Sequence, residues 1–146
     1  MMYRAIIEWI KTQLETEFDA VYVGLQDWSQ VFELYQNVVE IVPSTATTAF
    51  TGLGGIGSDQ WEVVVNVGSK QVELTSSEIE KAELDMLDSL MTVIDLFKRT
   101  NPVIASKQVR TSVVRHNSER LMNKEEGDGF YVPACSVVIQ VTITKI

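Results

Sequence analysis

SEIEKAELDMLDSLMTVIDLFKR, residues 77–99, decides how the rest of the chain is read. Ile79, Ala82, Met86, Leu87, Leu90, Met91, Ile94 and Phe97 recur at steps of three and four, the spacing of one helix face. Glu80, Glu83, Asp85, Asp88 and Asp95 fill much of the remainder. Ser77 and Glu80 have the spacing of a capping box, and Lys98 and Arg99 stand where the helix dipole favours bases. Asn101 and Pro102 stop the helix. At 1.5 Å per residue such a helix is roughly 33 Å long, enough to cross a small domain. It is expected to be the beam against which one sheet packs.

Working outward, residues 3–18 form a first amphipathic helix. Its stripe is Tyr3, Ile6, Ile7, Ile10, Leu14 and Phe18, with Arg4, Lys11, Glu15 and Glu17 facing out. Residues 20–24 read as a short strand. Trp28, Phe32 and Tyr35, at steps of four and three, read as core or interface anchors in a segment without a clear element. Residues 37–43 are a second strand, β-branched and ended by Pro43. Residues 61–67 are a third, with Val63, Val64 and Val65 as a near-continuous buried run, and residues 72–74 extend it or form a separate short piece. Beyond the long helix, residues 107–114 form a fourth strand. Residues 130–144 hold the last, where Val137, Ile139, Val141 and Ile143 alternate with Val138, Gln140, Thr142 and Thr144. The expected fold is α+β: a mostly antiparallel sheet of four to five strands, order α-β-β-β-α-β-β, with both helices on one face. Residues 44–60, glycine-rich and nearly uncharged, are expected to be a flexible loop, and residues 115–129 a polar one.

The 146 residues favour one domain, 1–146, large enough for its own core. The start of the chain lacks the pattern of a signal peptide, and no run reaches the roughly 18 apolar residues of a membrane span. A single cysteine permits no internal disulfide, so a soluble chain made in a reducing compartment is expected. The net charge of −8 argues against general nucleic-acid binding. Its distribution is uneven: residues 1–97 carry −12, residues 98–124 carry +6 and residues 125–146 carry −2. A chain so divided can stack on copies of itself or on a complementary ring, although ordinary solvated faces produce the same pattern.

No catalytic constellation survives inspection, so neither a cofactor nor a metal is expected and the chain does not read as an enzyme. Gly52, Gly54 and Gly57 match a dinucleotide fingerprint by letter, but a strand follows where a phosphate-binding helix is required. His116 and Cys135 could form a nucleophilic pair, yet no local signature joins them, and a buried structural thiol is the plainer reading of Cys135. Glu125, Glu126 and Asp128 lack calcium-loop spacing and read as an exposed turn.

The order of elements resembles that of the tail terminator (tail completion) proteins of long-tailed bacteriophages. An opening amphipathic helix (RAIIEWIKTQLETEF), a short strand (AVYVG), a strand ending at proline (NVVEIVP), a long helix and an alternating final strand (ACSVVIQVTI) carry the resemblance, as a pattern rather than a residue signature. It implies a virion protein, made in the host cytoplasm, that forms a hexameric ring at the head–tail junction. Such a ring caps the tail tube, stops its growth and meets the neck or connector. Implied partners are further copies of the chain, the tail tube protein, the neck protein and, in contractile tails, the sheath protein. No membrane and no sequence-specific nucleic acid is implied, and DNA passes through the lumen. Within that frame Arg110, Arg115 and Arg120 are expected at subunit or ring–ring contacts. Gly52, Gly54, Gly55 and Gly57 are expected in a loop reaching the tube or the lumen. Two other readings stand beside it: a neck or stopper subunit, and a small ligand-binding or enzymatic α+β domain with its pocket under the glycine-rich loop.

Overall fold

A computed structural model describes residues 2–24, 37–50, 57–69, 72–73, 76–123 and 130–145. Two helices, α1 (Met2–Glu15) and α2 (Ser76–Phe97), lie against a sheet of β1 (Val21–Val23), β2 (Asn37–Phe50), β3 (Gly57–Ser69), β4 (Val72–Glu73), β5 (Val103–Ile104), β6 (Lys107–Asn123) and β7 (Phe130–Lys145). The order across the sheet is β1-β2-β3-β7-β6-β5, with β4 on one end of β7. The α+β class and the placing of both helices on one face agree with the sequence. The sheet differs from the expected one in strand number and in the parallel pairing of β1 with β2.

The strands also run longer than expected, into what the sequence suggested were loops. Residues 44–50 continue β2, residues 57–60 begin β3, and the two pair from Thr45↔Glu62 to Phe50↔Gly57 past a bulge after Pro43. Likewise residues 115–123 continue β6, paired with β7 as far as Asn123↔Phe130. Neither extension shows an apolar alternation, because a ladder of backbone hydrogen bonds needs none. Thr-rich STATTAF suits a pleated ribbon, and the polar RHNSERLMN suits an edge strand. The glycine-rich stretch 51–56, the turn acids and the segment containing Trp28, Phe32 and Tyr35 lie outside the described residues.

The core fills the space between helices and sheet. Ile6, Ile7, Ile10 and Leu14 of α1 and Met86, Leu90, Val93 and Phe97 of α2 pack on Val39, Ile41, Val63, Val65, Val67, Val137, Ile139, Val141 and Ile143. The alternation read in β7 therefore holds. The continuous burial expected in β3 gives way to alternation, since Val64 is half-buried on the opposite face. Trp9 meets Phe97 edge to face at 5.9 Å. The end of α2 is tied to β6: the buried Thr111 hydroxyl donates to the Phe97 carbonyl at 3.0 Å, and the Thr100 and Thr111 hydroxyls also bond to each other. Between β5 and β6 the two-residue turn holds Ala105 and Ser106 at φ 49 and 62. This left-handed geometry follows the twist of a hairpin but suits glycine better than either residue.

One correction concerns α2 itself. Leu87 and Met91, read from the sequence as part of its buried face, are 53% and 47% exposed. Burial falls instead on Ala82, Met86, Ser89, Leu90, Val93 and Phe97. The stretch carries apolar residues on two sides, and spacing by threes and fours accommodates either stripe.

Candidate interaction surfaces

The four long strands span 14, 13, 17 and 16 residues. At about 3.3 Å per residue the longest exceeds 50 Å, whereas the 22 residues of α2 cover about 33 Å. The sheet outruns its helix layer. Gly57 pairs with Lys145 and Asn123 with Phe130, so the β2–β3 and β6–β7 hairpins point to opposite ends of β7. Such extended ribbons supply surface rather than core.

The sheet face turned from the helices mixes polar residues with the buried Val38 and Val138. Asn66 Nδ2 donates to Glu40 Oε1 at 2.8 Å, and the Ser136 hydroxyl donates to Asn66 Oδ1, forming a cross-strand ladder over β2, β3 and β7. Glu40 is only 3% exposed. Nearer the β2–β3 tip, Arg115 pairs with both oxygens of Glu62 at 3.0 and 3.3 Å. Arg115 thus has a partner within its own chain. Arg110 is exposed on the same edge strand, opposite Thr142. Arg120 stands opposite Pro133 in the distal part of β6. Gly57 opens β3, opposite Phe50, while Gly52, Gly54 and Gly55 lie outside the described residues. The arginines therefore share one strand, and the one described glycine belongs to the other hairpin.

An open groove of about 440 Å³ lies between α1 and the base of the β2–β3 hairpin, lined chiefly by Tyr3, Ile7, Val23, Pro43 and Trp61. The Tyr3 ring lies against that of Trp61, and Arg4 and Glu8 at the rim pair with each other at 2.9 Å. Among the described residues no group of three or more potential ligand side chains could hold a metal ion. Among the described residues no helix is long and apolar enough to cross a membrane.

Cys135 and His116 do not form a pair. Cys135 stands opposite Ser118, His116 stands opposite Val137, and His116 is exposed while Cys135 is 1% exposed. Burial pushes the Cys135 thiol up from 9.0 to about 11, partly offset by a hydrogen bond with the Val67 backbone. A nucleophile needs the opposite shift. Between those two values the unfolded chain releases the thiol proton while the folded chain holds it. Stability is therefore expected to fall as pH rises, by about 1.4 kcal/mol per unit. Urea denaturation at pH 9–11 checks this: Cys135→Ala should lack that part of the slope, and equal slopes in both proteins would refute it.

The outward surface of α2 is the feature that sequence reasoning missed. Leu84, Leu87 and Met91 stand exposed along it. Leu84 lies outside the face read from spacing, and only the sheet's position shows which side of the helix stays uncovered.

No protein-family model matches the chain, and no curated protein matches it. Solved structures do. A chain from the structure described as the virion of a native gene transfer agent particle aligns with a TM-score of 0.56 at 14% identity, over 93% of this chain and 84% of its own. A second solved chain covers 98% of this one and 89% of its own at 11% identity, but its TM-score of 0.33 carries no argument. The first likeness is one of fold.

Proposed function

We propose that this chain is a structural subunit of a phage-like virion, and within it a tail terminator: a ring-forming protein that caps the tail tube and joins the tail to the head or neck. The observation that carries this reading is the likeness of fold, over nearly the whole chain, to a component of a gene transfer agent virion. The two long hairpins and the division of charge between an acidic first part and a basic β6 region support it, because both suit repeated contact between copies. The role is structural, with further copies, tail tube protein and neck protein as partners. In this reading Arg110 and Arg120 on β6 serve contacts between subunits or rings. The β2–β3 tip, which includes Gly57, is directed to the tube or the lumen. A predominantly acidic lumen would let DNA pass without adhering, since like charges repel.

Light scattering after gel filtration, with negative-stain images of the peak, tests this reading. The expected species is a ring near the mass of a hexamer of the 16.4 kDa chain. Arg110→Glu should weaken the ring while leaving the thermal melting of the subunit unchanged, because substitutions at exposed sites usually change stability by less than about 0.5 kcal/mol. A wild-type chain that stays monomeric at every concentration, and does not bind tail tubes, would refute the proposal. A neck or stopper subunit would also form rings, and binding to the open end of purified tail tubes separates it from a terminator.

A further inference from the structure

We propose that the outward stripe of α2, Leu84, Leu87 and Met91, docks on the basic β6 edge of a second copy of this chain, around Val114 and Arg110. The inference rests on the self-assembling reading above and specifies the contact that it needs.

The stripe is a second apolar face. Leu84, Leu87 and Met91 are 56%, 53% and 47% exposed and stand on the side of α2 turned from the buried Ala82, Met86, Val93 and Phe97. At steps of three and four they form one continuous ridge. Its flanks are acidic: α2 carries Glu78, Glu80, Glu83, Asp85, Asp88 and Asp95 against the single base Lys81. Three large apolar side chains on one exposed ridge differ from the scattered surface apolars of an ordinary monomer.

The surface that complements it lies on the same molecule. From residue 98 to 118 the chain holds Lys98, Arg99, Lys107, Arg110 and Arg115 and no acid. Arg110, Val114 and His116 are exposed on β6, and Val114 is 47% exposed at the point where the pairing with β7 shifts register between Val113 and Arg115. A bulge of this kind turns a side chain away from the regular pleat. Among the described residues, the outer side of β6 is paired only near its start, by β5 at Lys107 and Gln108 and by the bridge from Thr100 to Thr111. Beyond Thr111 the strand offers an apolar residue, bases and, among the described residues, a side without strand pairing.

Geometry requires the second copy. The α2 ridge faces away from the sheet, and the β6 edge belongs to the sheet, so the two cannot meet within one molecule. Joining unlike surfaces gives a heterologous contact, which closes into a ring when its rotation permits. Acidic flanks against a basic edge fix the orientation, and the apolar ridge supplies the contact that salt does not screen.

The test uses the full chain. Sedimentation velocity over a concentration series compares wild type with Leu87→Glu, and circular dichroism melting shows that the variant folds. The expected result is at least a tenfold loss in self-association with an unchanged melting curve. A second measurement does not depend on that variant: Leu87→Cys and Val114→Cys in one chain should trap covalent multimers under mild oxidation, and Leu87→Cys alone should not. A wild-type ring that survives Leu87→Glu and gives no trapped multimer would overturn this contact and leave the ring itself standing. A wild-type chain that never self-associates would overturn both.

Discussion

Phe97→Ala is expected to cost about 3–5 kcal/mol, the usual range for removing a fully buried aromatic side chain. Phe97 is 0% exposed at the C-terminal end of α2. Its ring meets Trp9 of α1, and its carbonyl accepts from the Thr111 hydroxyl of β6. Helix, helix and sheet thus converge on one residue, its ring in the core and its carbonyl on β6. Truncation leaves a cavity that none of the three can fill alone, because each is held elsewhere by its own ladder or stripe. Total stability for a domain of this size is about 5–15 kcal/mol, so a fifth or more of it is at stake. The corresponding fall in Tm is roughly 10 °C. Urea denaturation and calorimetry check this. A cost below about 1 kcal/mol would show that the site collapses freely, contrary to the packing described.

The second large effect is expected on the other face of the sheet. Asn66→Ala should cost about 2 kcal/mol, whereas Arg115→Ala should cost no more than about 0.5 kcal/mol. Both substitutions remove hydrogen bonds to a carboxylate. They differ in solvent. Asn66 donates to Glu40, which is 3% exposed, and also accepts from Ser136, so its loss leaves a buried carboxylate short of a donor in a partly shielded network. Arg115 and Glu62 have side chains 61% and 30% exposed, and water replaces what the pair loses. Measuring both by urea denaturation tests the contrast. Equal costs would mean that the ladder on β2, β3 and β7 is as wet as the exposed pair.

The sequence by itself determined the helices, the core-facing alternation of β7 and the α+β class. Each rests on a local period, and the apolar face it defines must be buried wherever the element goes. It likewise determined the division of charge, which is a matter of composition along the chain. Only the tertiary structure decided the rest. Residues 44–50 and 115–123 lack an apolar period yet become strand, because an existing neighbour offers them a ladder of backbone hydrogen bonds along one side. The parallel placing of β1 beside β2 follows from how the ends meet in space. Between the two apolar stripes of α2, spacing could not choose. The sheet takes Met86, Leu90, Val93 and Phe97, and Leu84, Leu87 and Met91 are left facing out. A helix shows one period to its sequence, but which side is covered depends on the partner that arrives.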